Sequence, residues 1–217
     1  MIISRGRRYI FVHIPKTGGT ALSLALEARA MKDDILIGDT PKARARAGRL
    51  ASMKTKGRLW KHSTLTDIEG LVSRAEIADF FTVTLVRNPW DRVVSYYHWL
   101  RDQGFAHPAV TLAHDLPFSA FLNHAQTIAA FRAWPYAAYM HTADGHERAN
   151  LYCRIERFGD DIAPFETHLG FRLHPLPKIN KSVRPCDWRG LYSDADAGLV
   201  ADLCAEDIAR FGYRFDP

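Results

Sequence analysis

Phe11-Val12-His13-Ile14-Pro15-Lys16-Thr17-Gly18-Gly19-Thr20-Ala21-Leu22 is an apolar run, then a Lys-Thr-Gly-Gly-Thr turn, then the start of an amphipathic pattern. A strand that turns into a helix in this way forms a cradle for an anion. Glycines let the backbone approach a guest closely, the N–H groups of the helix N-terminus point at it, and a lysine adds a mobile positive charge. Such a turn suits a phosphate or sulfate ester. Phosphate-loop nucleotide hydrolases place their lysine after the last glycine, as Gly-x-x-x-x-Gly-Lys-Ser/Thr. Here Lys16 precedes both Gly18 and Gly19, which argues against an ordinary ATPase or GTPase.

Outward from this turn, apolar periodicity predicts strands over 8–14, 35–38, 80–86 and 151–155. It predicts helices over 19–31, 66–78, 117–124, 128–139, 160–169 and 194–211. Strands alternating with helices imply an α/β fold: a central parallel sheet flanked by helices on both faces, with ligands at the carboxyl ends of its strands. The stretch from about 100 to 150, rich in His, Pro and aromatics, gives no clear placement. Neither a linker, an internal repeat nor a low-complexity tract interrupts the 217 residues, so they read as one domain.

The strand over 80–86 runs into Arg87-Asn88-Pro89-Trp90-Asp91-Arg92-Val93-Val94-Ser95-Tyr96-Tyr97. Asn88 is a good N-cap, Pro89 suits the first helical position, and Asp91 favours the positive end of the helix dipole. Arg87 therefore stands where a strand ends and a helix begins, with Ser95 two turns along. A guanidinium fork and a hydroxyl in that arrangement suit a phosphate lying along the first turns.

Both motifs, in this order and at this spacing, resemble those of the P-loop-related sulfotransferases that use 3'-phosphoadenosine 5'-phosphosulfate (PAPS). The similarity is greatest to the carbohydrate branch that contains the heparan sulfate 2-O- and 6-O-enzymes. Further similarity lies in Arg154-Ile155-Glu156-Arg157-Phe158, in Leu176-Pro177-Lys178-Ile179-Asn180-Lys181-Ser182 and in Glu206-Asp207-Ile208-Ala209-Arg210-Phe211-Gly212-Tyr213. The resemblance implies a three-layer fold like that of P-loop nucleotide hydrolases. It implies that Pro15, Lys16, Thr17, Gly18, Gly19, Thr20 and Ala21 form the 5'-phosphosulfate loop, with Thr20 and Ala21 touching the 5'-phosphate and Thr17 open to a second reading as a helix cap. Arg87 and Ser95 are then the 3'-phosphate site. Lys181 and Ser182 resemble a lid over the nucleotide, their other reading being a solvated turn before Pro185. PAPS is the implied co-substrate and a hydroxyl-bearing, carbohydrate-like acceptor the implied partner.

Sulfuryl transfer to a hydroxyl needs a base for the acceptor proton and positive charge beside the bridging oxygen. Lys16 and the loop amides supply the charge. His62, in Trp60-Lys61-His62-Ser63-Thr64, lies between the two motifs and before a predicted helix, where the glycan branch places its catalytic histidine. His13 reads as structural, its other reading being catalytic; Trp90, Tyr96, Tyr97 and Trp99 read as core, the alternative being that one stacks on adenine or a sugar; and Arg92 suits either substrate or a carboxylate. The donor's anhydride is already activated, so the chemistry demands no metal, and the sequence offers no convincing set of metal ligands. A kinase would need its loop lysine and the Ser/Thr after it to follow the last glycine, and a metal-binding Asp on a neighbouring strand, and neither is in register, since Lys16-Thr17 precedes Gly18 and Gly19.

The net charge is +5, and eight basic residues with no acidic one run from Lys42 to Lys61. That run is either a solvated face or an electropositive approach for an acidic acceptor, and alone it would also suit a noncatalytic polyanion-binding protein. No nucleic-acid recognition motif accompanies it. No apolar run approaches a membrane span, and Met1 to Arg8 lacks the anchor usual in animal members of the branch, which points to a cytoplasmic protein. Cys153, Cys186 and Cys204 form no Cys-x-x-Cys pair and read as buried thiols.

Overall fold

The computed structural model describes residues 1–177 and 187–216. They form two compact units, 1–86 with 136–177, and 87–135 with 187–216.

The first unit carries a five-stranded sheet. Its strands are β1 (Ile2–Ser4), β2 (Tyr9–Val12), β3 (Ile35–Leu36), β4 (Phe81–Val86) and β5 (Leu151–Arg154), in the order β3-β1-β2-β4-β5. β2, β4 and β5 are parallel, with Val12 level with Thr84 and Val86 level with Arg154. Phe11, Val12, Val83, Leu85 and Val86 are fully buried, which is why these strands read as continuous apolar runs rather than alternating ones. Buried threonines in β4 are satisfied locally: Thr84 Oγ1 donates to the Val12 carbonyl at 2.8 Å, and Thr82 Oγ1 bonds Asn150 Oδ1 at 3.0 Å.

The central strands are parallel, as the sequence leads one to expect, and the sheet departs from that pattern at one edge. β1 pairs antiparallel with both β2 and β3. Only four residues separate Ser4 from Tyr9, too few for the crossover a parallel neighbour requires, so the chain makes a hairpin with Arg8 in a left-handed conformation (φ 54°).

Helices α1 (Gly19–Glu27), α2 (Pro41–Arg46) and α3 (Arg74–Asp79) connect β2 to β4. The helix expected over 66–78 forms only from Arg74. Gly70 takes φ 96°, which stops an earlier helix, and Ser73 with Glu76 builds a capping box that starts a new one. Beneath the sheet, Leu22 and Leu26 of α1 join Tyr9, Phe11, Val83, Leu85, Phe158 and Phe165 in one apolar core.

The second unit opens with α4 (Pro89–Arg101), α5 (Pro108–Asp115), α6 (Phe118–Leu122) and α7 (Ala125–Ala133). The stretch that resisted placement is thus three short helices, with a 3₁₀ turn at Tyr136–Met140 belonging to the first unit. α8 (Phe158–Asp161) and α9 (Ala163–Leu169) follow β5, and α10 (Asp194–Leu203) and α11 (Ala205–Phe211) complete the second unit. The latter two break at Cys204 what the periodicity presents as one helix. Trp90, Val93, Tyr97, Phe118, Phe121 and Val200 centre this unit's core.

Candidate active site

The Lys-Thr-Gly-Gly-Thr turn leaves the carboxyl end of β2 and enters α1 at Gly18, its N-cap. Lys16 holds φ 67° and Gly18 φ 85°. A non-glycine residue in the left-handed region costs about 1–2 kcal/mol and persists only where its surroundings impose it, which makes Lys16 a strained position at a ligand-type turn. The first N–H groups of a helix have no intrahelical partner. Gly18, the N-cap of α1, has no side chain to cap them, and no acidic residue occupies the first turn, so the helix's own first turn places no carboxylate at the positive end of its dipole.

The two glycines have a packing reason as well. A Cβ on Gly18 would strike the Ile155 side chain, and one on Gly19 would strike the His13 ring. The loop therefore lies directly on its own unit's interior, with no room for side chains underneath. Thr17 is fully buried and its Oγ1 donates to the Ile14 carbonyl at 2.9 Å. Its expected alternative role as a helix cap is corrected: the cap is Gly18, and the Thr17 hydroxyl closes the turn. Pro15, Lys16, Gly18, Thr20 and Ala21 are partly accessible, whereas Gly19 is buried.

His13 and His62, far apart in sequence, meet at this loop. Their rings lie 4.7 Å apart at 70°, and His13 stacks on Phe11. His62 Nδ1 lies 2.7 Å from the His13 backbone carbonyl oxygen. A carbonyl only accepts, so Nδ1 carries the hydrogen and Nε2 of the neutral ring holds the lone pair. Burial holds His13 well below the ordinary imidazole range, helped by the positive charges of Lys61, Lys16 and the N-terminal amine and by His62. Burial likewise brings His62 down to about 4, opposed by its bond to the His13 carbonyl and by Asp39. Both imidazoles are neutral at physiological pH.

The turn around His62 is tightly tied. Ser63 Oγ donates toward the Arg58 and Trp60 carbonyls at 2.9 and 2.8 Å and accepts from the Trp60 N–H at 2.9 Å. Asp67 Oδ2 accepts from the Thr64 N–H at 2.8 Å. The Leu65 N–H donates to the Tyr139 carbonyl at 3.0 Å. Trp60 itself, not singled out from the sequence, meets the His62 ring at 4.9 Å and 85°.

In the second unit, Asn88 Oδ1 caps α4 by accepting from the Trp90 N–H at 3.1 Å. Arg87 precedes that cap and holds one Asp91 oxygen through Nε at 2.7 Å and Nη2 at 2.6 Å. Ser95 is buried one turn beyond Asp91 on the same helix. Arg92 is buried with its guanidinium 5.9 Å from the Phe131 ring, Trp90 and Tyr97 are buried as expected, and Tyr96 and Trp99 are partly buried. Lys181 and Ser182 lie outside the described residues.

The basic run serves structure more than its sequence suggests. Lys42 donates to the Glu27 carbonyl, Arg46 to those of Met31 and Asp34, and Arg49 to that of Lys32. Lys61 pairs with Asp39 at 2.6 Å. The side chains of Arg44, Lys54 and Arg58 make no hydrogen bond or ion pair among the described residues, and all three residues are exposed. Cys153 and Cys204 are buried free thiols, their pKa values pushed up by burial to about 12 and about 11. Among the described residues no His, Cys, Asp and Glu group is arranged to hold a metal ion, and no helix is long and apolar enough to cross a membrane.

The sulfotransferase family matches residues 1–150, well over half of the chain and both motifs. This chain belongs to the sulfotransferase family. Membership bears out the expected enzyme class, a PAPS-dependent sulfotransferase. The match runs through the helices between 100 and 150 and ends before the further similarities noted at Arg154, Leu176 and Glu206. No curated protein sequence matches this sulfotransferase. Among solved structures it is similar to mouse sulfotransferase SULT7A1 complexed with PAP, at 14% identity and a TM-score of 0.46, over 92% of this chain and 82% of that one.

Proposed function

We propose that this sulfotransferase moves the sulfuryl group of PAPS to a hydroxyl of a carbohydrate-like acceptor, with His62 as general base. The observation that carries the reading is the 2.7 Å contact between His62 Nδ1 and the His13 carbonyl. It fixes the tautomer that leaves Nε2 able to accept a proton, and the depressed pKa keeps that nitrogen unprotonated at neutral pH. The ring is held by a turn that Ser63 and Asp67 tie within the first unit, so its orientation is set before any substrate arrives.

In this reading His62 Nε2 takes the acceptor's hydroxyl proton while the hydroxyl oxygen bonds to sulfur. The bond from sulfur to the bridging oxygen breaks, and its electron pair leaves on the 5'-phosphate of adenosine 3',5'-bisphosphate. Lys16 and the N–H groups at the start of α1 stabilise the charge that develops on that phosphate. The products are a sulfate ester, the bisphosphate and a proton released from His62. Thr17, whose hydroxyl is committed to Ile14, contributes its backbone N–H alone, while Pro15, Gly18, Gly19, Thr20 and Ala21 shape the loop.

Arg87 and Ser95 are assigned to the 3'-phosphate, and Lys181 and Ser182 to closure over the nucleotide. The Arg87–Asp91 pair supports the first assignment by fixing the guanidinium's direction at the start of a capped helix. We read the whole chain as one sulfotransferase domain, supported by a family match that spans residues of both units. Resemblance of the two motifs to the heparan sulfate 2-O- and 6-O-enzymes supports a sugar acceptor. A thermal shift separates this function from nucleotide hydrolysis or a kinase. Adenosine 3',5'-bisphosphate at a hundredfold excess over its Kd should stabilise the fold by about 2.7 kcal/mol, and ATP with magnesium should not. Selective stabilisation by ATP with magnesium would refute the reading.

A further inference from the structure

Trp60 presents a large aromatic surface beside the proposed base. Trp60 is 45% exposed, one of four exposed large hydrophobic residues among the described residues. Two partners hold it: the His62 ring at 4.9 Å and the Arg58 guanidinium, 6.0 Å from the indole centroid. The backbone beneath is fixed by Ser63, whose Oγ ties Arg58 and Trp60 together. An indole on a rigid turn loses little freedom when a ligand covers it, so burial of its open surface goes into binding. Arg58 and Lys54 lie exposed on the same segment, without an ion pair among the described residues. Of the other basic residues of the run, Lys42, Arg46 and Arg49 bond backbone carbonyls, Lys61 pairs with Asp39, Lys56 lies 4.0 Å from a Glu69 carboxylate oxygen, and Arg44 is exposed earlier in the chain.

We propose that Trp60 and Arg58 form the acceptor platform: a pyranose ring packs its C–H face on the indole while Arg58 pairs with a carboxylate or sulfate on that saccharide. The proposal rests on the reading of His62 as base and assigns to that same site the two residues that set its acceptor specificity. A sugar on the indole lies against the His62 ring, so its hydroxyls reach Nε2 without a second recognition element. Arg58 supplies discrimination, since a guanidinium fork matches a carboxylate and gains nothing from a neutral sugar.

The test labels the full chain with 5-fluorotryptophan and assigns the Trp60 fluorine resonance among five tryptophans by loss of that signal in Trp60→Phe. Titration with a hyaluronan tetrasaccharide should move the Trp60 resonance, and neutral chitotetraose should move it only at concentrations at least tenfold higher. Arg58→Ala should abolish that preference. Kinetically, Trp60→Ala should raise KM for the acidic acceptor at least tenfold with bisphosphate affinity unchanged, and Trp60→Phe should recover most of the loss. The same titration in His62→Ala separates the two ideas: a moving resonance in a variant with parental turnover keeps the platform while removing the base. A Trp60 resonance that answers to bisphosphate alone and to neither saccharide would overturn the proposal, as would a KM within twofold of parental in Trp60→Ala.

Discussion

If His62 is the base and titrates near 4, acid should inhibit this enzyme far later than an ordinary histidine would dictate. At pH 5.5 an imidazole of pKa 4 is about 97% neutral, whereas one of ordinary pKa near 6.5 is only about 9% neutral. The profile of kcat/KM reports the free enzyme, so it should stay level from pH 7.5 down to about 5.5 rather than fall tenfold. The same depressed pKa limits the range. Between 6.5 and about 4 the unfolded chain binds a proton that the native ring refuses, so stability is full above the unfolded pKa and falls as pH drops, by up to about 3 kcal/mol for His62. His13, shifted the same way, adds to that loss. Circular dichroism at each pH keeps unfolding apart from titration. His62→Ala should lose about 10²- to 10⁴-fold in single-turnover transfer, retain bisphosphate affinity, and withstand acid better than the parent. A tenfold fall in kcat/KM between pH 7.5 and 5.5 with the fold intact would refute the buried, neutral base. Parental transfer in His62→Ala together with loss in Asp67→Asn would move the role to that carboxylate.

Lys16→Ala should weaken adenosine 3',5'-bisphosphate about ten- to a hundredfold by calorimetry, as should Arg87→Ala, with Arg87→Lys controlling for the Asp91 left uncompensated. Gly19→Ala should lower the melting temperature by about 3–10 °C, because its methyl must displace the His13 ring, and differential scanning calorimetry measures this directly. Reversing Lys54 and Arg58 to Glu should raise KM for an acidic acceptor and flatten its salt dependence in initial-rate assays. Reversing Arg46 and Lys61, which hold carbonyls and Asp39, should instead cost thermal stability.

Local chemistry made both motifs legible. Gly18 at φ 85° and the Asn88-Pro89 cap are signals carried by the residues themselves, and the apolar runs of β2 and β4 announce strands buried on both faces. The Ser73-x-x-Glu76 box was equally readable, yet the apolar spacing around Ile68, Leu71 and Val72 suggested a helix there that Gly70 interrupts. What could not be read was distance-dependent. The carbonyl that orients His62 comes from His13, 49 residues away, and the contacts that occupy the basic run come from the backbone of 27–34. Position between two motifs, where the resembled glycan branch places its histidine, marked His62 as a candidate. Only geometry says which of its nitrogens holds the lone pair, or that Trp60 stands open beside it.

The most direct test is transfer of ³⁵S-labelled sulfuryl from PAPS under single-turnover conditions across neutral and acidic saccharides, for the parent and His62→Ala side by side. The parent should form a labelled sulfate ester and stoichiometric bisphosphate without added metal, while His62→Ala binds bisphosphate with parental affinity and forms ester at least a hundredfold more slowly. Ester formation at the parental rate in the variant, or release of bisphosphate with inorganic sulfate and no labelled saccharide in the parent, would contradict it.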